Sequence, residues 1–182
     1  MSYTLQDFCA EIHAVLKEDN SLAGRERVRR CMEKLLANET FVELLCGPDK
    51  RPGTYKLNED PTTGAVVLAH VYEHGTVSPP HDHGASWAIY GQAVGYTDIT
   101  DWKRTDDGAD PARAALEAER TYRLEPGMAG LYDVGAIHSI DFPDGTRFVR
   151  VTGTDLDAID RTAYDLKTGA VKTIRTETAD RA

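Results

Sequence analysis

Two histidines separated by one residue are the first feature of this chain that could bind a metal ion. His81 and His83 lie in the string GTVSPPHDHG. Because side chains two positions apart on a β-strand point to the same face, both imidazoles can reach one ion at about 2.0–2.2 Å. Two ordinary polar residues on a strand face would have the same spacing, so the pair makes a metal site possible without establishing it.

A second block supplies a third imidazole. In GMAGLYDVGAIHSI, Gly127 precedes Asp133 by six positions, Gly135 allows a tight turn, and His138 opens the next strand. The first block resembles the first cupin motif, G-x5-H-x-H. The second block resembles the second cupin motif, G-x5-P-x-G-x2-H, with Asp133 in place of the proline. Two matches in the correct order predict three metal ligands: His81, His83 and His138.

The cupin resemblance covers roughly residues 55 to 155. It implies a mainly β fold, a double-stranded β-helix barrel in which the two motif strands lie side by side and their histidines converge on a metal. Trp87 stands at about the place of the first motif's glutamate ligand, so the site is expected to hold its ion through three histidines alone. Three neutral imidazoles leave the full positive charge on the ion and open coordination positions, which suits a catalytic site.

Within the cupins, the sequence resembles the thiol dioxygenases, the group of cysteine dioxygenase and 3-mercaptopropionate dioxygenase. The resemblance rests on an N-terminal helical portion, a strand led by Tyr55, the string PPHDHGASWAI and a single histidine after Asp-x-Gly. It implies Fe(II) held by the three histidines and a substrate that carries a thiol and a carboxylate. It also implies insertion of both atoms of dioxygen at the sulfur.

Several residues depart from that group. The family's Ser-x-His-x-Tyr strand aligns with Phe148, Arg150 and Thr152. Ala88 stands where cysteine dioxygenase has its cross-linking cysteine, and Leu57 replaces the substrate-binding arginine of that enzyme. True cysteine dioxygenase activity is therefore not expected.

Two arginines are candidates for holding a substrate carboxylate. The mercaptopropionate branch uses an arginine nine positions after its tyrosine, and Arg161 follows Thr152 by nine. Alternation along RFVRVTG places Arg150 on one face with Phe148 and Thr152, and in the family register this face points inward. A guanidinium there could clamp a carboxylate. A structural ion pair with one of the 30 acidic residues would explain a buried Arg150 equally well.

Aromatic residues near the motifs are further candidates. Trp87 shares parity with His83 along a regular strand, so we expect it to line the pocket, with core filling as the alternative. Tyr90 and Tyr96 could each supply a phenol. The isolated histidines are not expected to be ligands: His13, His70 and His74.

The elements that must position these residues change in character near Cys46-Gly47-Pro48. Apolar residues recur at three- and four-residue steps over residues 4–46, which predicts helices, the first of which ends near Asp19. From Arg51 onward, short runs rich in Val, Ile, Tyr and Thr are separated by Gly, Pro and Asp, which predicts strands. An acidic insertion over residues 104–119 is predicted to be a short helix or an exposed loop.

We expect a single domain with three parts. A helical segment over residues 1–50 packs on the cupin barrel, which occupies residues 51–160. A C-terminal extension over residues 161–182 is expected to end in a frayed tail, TETADRA.

Composition favours a small-molecule partner. The net charge of -9 and the pI near 5.1 argue against nucleic acid or an anionic membrane as the main partner, because both require clustered cationic surface. Three cysteines match no zinc or redox motif. The sequence shows neither a secretory leader nor an apolar run of about 18 residues, so a soluble, cytoplasmic protein is expected.

The leading functional hypothesis is a non-haem Fe(II) dioxygenase that acts on a small carboxylate-bearing, possibly thiol, substrate. Dioxygen would be the co-substrate, and Arg150 or Arg161 would hold the carboxylate. Two alternatives stay open: a hydrolase, lyase or isomerase that uses Zn, Mn or Ni, and a metabolite-binding sensor. No residue is assigned to an organic cofactor, and a homodimer is compatible with the sequence.

Overall fold

The structure is a computed structural model and describes residues 2–175. The chain begins with three α-helices: α1 (Leu5–Glu18), α2 (Leu22–Leu36) and α3 (Glu39–Cys46). Thr4 caps α1, since its hydroxyl accepts from the Asp7 backbone N–H while the Asp7 carboxylate accepts from the Thr4 backbone N–H. The helices predicted before residue 47 are confirmed. None of the helices within residues 2–175 is both long and apolar enough to cross a lipid bilayer.

Strands make up most of the remaining described chain. They are β1 (Gly53–Glu59), β2 (Val66–Val71), β3 (Thr76–Val77), β4 (Ala88–Val94), β5 (Thr97–Arg104), β6 (Leu116–Leu124), β7 (Ala129–Tyr132), β8 (Ile137–Phe142), β9 (Arg147–Thr152), β10 (Arg161–Tyr164) and β11 (Val171–Ile174).

The strands form two facing antiparallel sheets. The five-stranded sheet has the order β1-β2-β9-β4-β7, the four-stranded sheet has the order β3-β8-β5-β6, and β10 pairs with β11 as a separate hairpin. Neighbours that are distant in sequence, such as β2 and β9, show that the chain crosses repeatedly between the sheets. Two facing sheets joined by such crossovers form a double-stranded β-helix barrel, and the predicted mainly β fold class is confirmed.

The five-stranded sheet buries its two faces in different ways. On the outer face, Ile89, Val149 and Val151 pack with the apolar sides of the helices. On the inner face, Tyr90 and Phe148 belong to a second cluster between the sheets. Because side chains alternate along a strand, the odd-numbered residues of β4 and β9 support the helices and the even-numbered ones line the barrel.

The C-terminal extension is more ordered than the sequence suggested. After a single 3-10 turn over Leu156–Ala158, β10 and β11 form a hairpin, although the sequence after residue 155 shows no periodic pattern. Strands of four residues are too short to show periodicity, and pairing across the fold stabilises them instead. The predicted tail TETADRA lies outside the described residues.

The acidic insertion also differs from its prediction. Residues 105–115 form the predicted exposed turn and loop, whereas Leu116–Glu119 are neither helix nor loop but the start of β6, which pairs with β5. The local sequence ALEAE favours a helix, but the long hydrogen-bonded ladder with β5 outweighs that weak local preference.

Candidate metal centre

Three imidazoles converge in the barrel, as the two motifs predict. One ring nitrogen from each of His81, His83 and His138 lies within 4.8 Å of the other two. The ring centroids are 4.6 Å apart for His81 and His138, 4.9 Å for His83 and His138, and 5.6 Å for His81 and His83. No carboxylate among residues 2–175 joins this group, in keeping with the expected three-histidine ligand set.

Backbone pairing fixes two of the ligands relative to each other. The backbone N–H of His81 donates to the His138 carbonyl at 2.9 Å, and the N–H of His138 donates to the His81 carbonyl at 3.0 Å. The Nδ1 atom of His81 lies 3.0 Å from the Pro79 carbonyl oxygen. When Nδ1 carries the proton and donates it to that carbonyl, Nε2 presents its lone pair to an ion.

Asp82, between the two motif histidines, anchors the turn that carries them. Its Oδ1 accepts from the backbone N–H of Gly84 at 2.8 Å and of Thr162 at 3.0 Å, and its Oδ2 accepts from the Tyr164 hydroxyl at 3.1 Å. Gly84 has φ +59°, and an added Cβ would collide with the Asp160 carbonyl, so only glycine fits here. The C-terminal hairpin therefore holds the metal-binding turn in place.

The ring nitrogens of the site are suited to metal binding. Both nitrogens of His138 and the Nδ1 of His83 are buried without a hydrogen-bond partner. Burial and the neighbouring His81 lower the pKa of His138 to about 3, and burial lowers the pKa values of His83 and His81 as well. The three imidazoles are therefore neutral near pH 7, with lone pairs free for an ion, so the residues fit a divalent metal.

Two tyrosines surround the histidines. The Tyr90 hydroxyl lies 3.2 Å from the Nε2 of His83, which agrees with the prediction that Tyr90 could supply a phenol. Tyr132 stacks on His138 with the centroids 4.2 Å apart, and its hydroxyl accepts from Tyr122 at 3.1 Å. Burial raises the pKa of Tyr132 well above its ordinary value, so it stays protonated. Sequence reasoning missed Tyr132, because its contact with His138 depends on strand pairings that no local pattern encodes.

Arg150 points into the barrel, as its place in RFVRVTG predicts. It lies on β9 directly opposite Leu68 of β2 and Tyr90 of β4. In addition to burial, its charge lowers the pKa values of His81 and His83, so the guanidinium is within electrostatic reach of the ligands. Its guanidinium forms no hydrogen bond or ion pair with any residue of the described chain, and its Nε is buried. The alternative of a structural ion pair therefore has no acidic partner within residues 2–175.

Arg161 also acts on the site. It is the first residue of β10, and its charge contributes, after burial, to the lowered pKa values of His81 and His83. The hairpin that anchors Asp82 therefore brings a second cation toward the histidines. Whether Arg161 holds a substrate remains a prediction.

Trp87 does not lie with the histidines. It is only 2% exposed, and it belongs to the cluster between the five-stranded sheet and the helices, with the Arg25 guanidinium 5.9 Å from its ring centroid. The expectation that it lines the pocket assumed a continuous strand from His83. A turn at Gly84 and Ala85 breaks that strand and reverses the parity.

The other aromatic and histidine candidates lie outside the ligand group. Tyr96 lies under the Arg123 guanidinium, 3.6 Å from the ring centroid. His13 bonds Asp60 at 2.7 Å, and His74 is exposed. His70 is buried inside the barrel but does not join the three ligands, as expected.

Known structures share only a distant likeness with this chain. No protein-family profile matches the chain, and no curated protein matches it. The cupin domain of Cnp3 from Schizosaccharomyces pombe is 12% identical, covers 59% of this chain and 66% of that chain, and has a TM-score of 0.44. A cupin superfamily protein from Desulfitobacterium hafniense is 13% identical, and the match covers 62% of this chain and 88% of that chain with a TM-score of 0.43. Hydroquinone 1,2-dioxygenase PnpCD, solved with Cd2+ and 4-hydroxybenzonitrile, is 13% identical. The match covers 61% of this chain and 69% of that chain, with a TM-score of 0.43. Such distant likenesses say nothing about the metal or the substrate of this chain.

Proposed function

We propose that this protein is a non-haem Fe(II) dioxygenase that acts on a small carboxylate-bearing substrate. One observation carries the proposal. Three neutral imidazoles, those of the buried His83 and His138 and of the half-buried His81, lie within electrostatic reach of Arg150, a guanidinium that has no anion among the described residues.

The metal would be held by His81, His83 and His138. Imidazole ligands suit iron, zinc, copper and nickel, so the donor set admits more than one ion. When bound here, Fe(II) supplies binding and activation of dioxygen through the coordination positions that three ligands leave open. The chain's own part is to fix the ligands, through the backbone pairing of His81 with His138 and through Asp82.

Arg150 would bind the substrate carboxylate. Its planar guanidinium can donate two parallel hydrogen bonds to a carboxylate, and the low polarity of the barrel strengthens charged hydrogen bonds. An acid fixed in this way has little freedom relative to the metal, which favours reaction at one position of the substrate. Arg161 adds positive charge on the side of the C-terminal hairpin.

The surroundings of the metal favour oxygenation over chemistry that depends on a base from the protein. A hydrolase, lyase or isomerase that does not rely on a metal-bound hydroxide needs a side chain that accepts protons near neutral pH. No carboxylate of the described chain joins the ligands, both oxygens of Asp82 are bound to the turn and the hairpin, and Tyr132 stays protonated. Dioxygen chemistry at an iron centre needs no such base from the protein.

Free cysteine is expected to be a poor substrate. Ala88 is an inward residue of β4 opposite Tyr132 and Thr152, so no cysteine is available there to cross-link a tyrosine. The three cysteines lie in the helices, and Leu57 cannot bind a carboxylate. Intact-mass and peptide analysis should show no Cys-Tyr cross-link in the purified protein.

Oxygen consumption tests the proposal. Protein loaded with Fe(II) under anaerobic conditions is mixed with small mercapto-, hydroxy- and keto-acids, and dioxygen uptake is followed with an electrode. We expect uptake with at least one acid, loss of uptake in Arg150→Met, and no uptake in protein loaded with Zn(II). Turnover of an acid by the Zn(II) form without oxygen uptake would instead establish the redox-inactive alternative.

A further inference from the structure

His70 is a buried group that the metal centre does not use. It lies on β2 and is 5% exposed. Its Nδ1 lies 3.1 Å from the Thr54 hydroxyl, whereas its Nε2 is buried with no hydrogen-bond partner. Buried polar atoms in folded proteins nearly always have a partner, so this nitrogen requires an explanation.

His70 lies one row beyond Arg150 on the inner face of the five-stranded sheet. The pairing of β2 with β9 places Leu68 opposite Arg150 and His70 opposite Phe148. Tyr90, which contacts the ligand His83, lies opposite Arg150 on the other side. Two rows of side chains therefore follow one another on the inner face. Tyr90 and Arg150 belong to the row nearer the histidine ligands, and Phe148 and His70 belong to the next row.

Electrostatics agrees with this placement. After burial, the charge of Arg150 is the second cause that lowers the pKa of His70 to about 3. The same guanidinium acts on His81 and His83. Arg150 is therefore within reach of both the ligands and His70, and an acid bound to it could extend toward His70.

The inner face is accessible at this level of the barrel. Leu68 is only partly buried, whereas its outward-facing neighbours Val67 and Ala69 are fully buried. Thr54, which bonds His70 from the edge strand β1, is exposed. Solvent therefore reaches the inner face beside Leu68 and Thr54, on the β1 and β2 side, whereas the Nε2 of His70 lies buried next to this opening.

The chemistry around His70 selects an uncharged polar group. The imidazole is neutral, so it offers one N–H and one lone pair but no positive charge. Aromatic rings surround it, with Phe148 at 4.8 Å and Tyr72 at 6.1 Å between ring centroids. An amide or a hydroxyl can satisfy such a nitrogen, whereas a second carboxylate would lose its hydration without gaining a cation of its own.

We infer that His70 recognises the far end of the substrate, and that the substrate carries an amide or hydroxyl group in addition to the carboxylate bound by Arg150. The inference rests on the proposed function, because it extends the acid that Arg150 would hold beside the metal. It makes His70 a specificity-determining residue rather than a metal ligand.

Matched acids test this inference by binding alone. Zn(II)-loaded wild type is titrated by calorimetry with butanoate, succinamate and succinate, and with pentanoate, glutaramate and glutarate, which differ only in the group at the far end. We expect the amide-ended acid of at least one set to bind about three- to tenfold more tightly than its methyl-ended counterpart, the range for one neutral hydrogen bond. The carboxylate-ended acid should bind no better than the methyl-ended one.

Variants separate recognition from packing. His70→Phe keeps a ring against Phe148 and should abolish the preference for the amide, and His70→Gln, which keeps a hydrogen-bonding group, should retain part of it. His74→Phe changes an exposed histidine and should have no effect. Thermal melts and zinc content show that each variant is folded and loaded.

The outcomes distinguish this inference from the proposed function. A wild type without the amide preference, or a His70→Phe protein that retains it, would overturn the inference even if Fe(II)-loaded enzyme consumes oxygen. Loss of binding of every acid in Arg150→Met, with the amide preference present in wild type, supports both. An amide preference that depends on His70 without any oxygen uptake would leave the inference standing and remove the proposed reaction.

Discussion

Two arginines three residues apart on β9 show how differently the two faces of the five-stranded sheet are used. Arg147 points to the helical side, where its Nη1 donates to the carbonyl oxygens of Cys46, at 2.6 Å, and Gly47 at the end of α3. Arg150 points into the barrel, and its guanidinium has no hydrogen bond or ion pair with the described residues. A cation at the C-terminal end of a helix stabilises the fold, whereas an unpaired inward cation is available to a ligand.

Two aromatic residues on either side of the start of β4 repeat the contrast. Trp87 fills the core between the sheet and the helices, while Tyr90 points inward and contacts His83. Side chains on the outer face are held by packing or by backbone carbonyls, although the Nε of Arg147 is itself buried without a partner. The inner face carries His70, His138 and Arg150, each of which has at least one buried side-chain nitrogen without a partner, and ligand chemistry is expected there.

Removal of one metal ligand should have the largest effect. His81→Ala, His83→Ala and His138→Ala should each lower metal affinity by more than about 100-fold, since loss of an outer-shell partner alone costs about 10- to 100-fold. His74→Ala is the matched control, and His70→Ala should also keep its metal. Metal content after dialysis against a weak chelator checks this. Full metal retention in His138→Ala would show that the three histidines on the inner face do not form the metal site.

The arginine pair should separate binding from stability. Arg150→Met should weaken a bound acid by about 1.5–3 kcal/mol, the range for hydrogen bonds to charged groups, with little change in metal content. Arg147→Met should instead lower the free energy of unfolding by about 1–3 kcal/mol, because buried carbonyls of α3 lose their donor, and leave acid binding unchanged. Calorimetric titration and urea unfolding measure the two quantities. Equal effects of the two substitutions would show that the faces do not differ.

The pH dependence of stability should arise from the inner face. The folded-state pKa of His70 is about 3, below the value of about 6.5 in an unfolded chain. Between these values the unfolded chain binds more protons, so the free energy of unfolding rises with pH and falls on acidification. His70→Phe should make the metal-free protein less pH-dependent between about pH 4 and 6, by up to about 1.4 kcal/mol per pH unit. Urea unfolding at several pH values checks this, and an unchanged slope would contradict it.

The smallest effects are expected from the two aromatic residues of the β4 region. Tyr90→Phe removes the hydroxyl next to His83 and should weaken metal binding by about tenfold, with little change in stability. Trp87→Phe should leave metal binding unchanged and lower the free energy of unfolding by about 1–2 kcal/mol, through lost packing. Metal competition assays and thermal melts compare the variants. Metal loss in Trp87→Phe would contradict the outward position of the indole.

Sequence alone predicts the parts of the site that depend on short-range spacing. The three ligands follow from the two motifs, and the inward direction of Arg150 follows from strand alternation. The prediction that Trp87 lines the pocket was wrong because the inward–outward alternation of side chains does not continue across the turn at Gly84. The positive φ of this glycine makes the turn possible. The stacking of Tyr132 on His138 depends on strand pairings distant in sequence, and so does the role of β10 in anchoring Asp82. No local pattern encodes such contacts.

X-ray absorption at the iron edge can identify the metal ligands directly, on wild-type protein loaded with one equivalent of Fe(II) under anaerobic conditions. We expect three imidazole ligands at about 2.0–2.2 Å, no sulfur and no carboxylate from the protein. Addition of a bound acid should change only the remaining, non-imidazole ligands. A spectrum with fewer than three imidazoles, or one with a protein carboxylate or sulfur in the ligand set, would contradict a metal held by His81, His83 and His138.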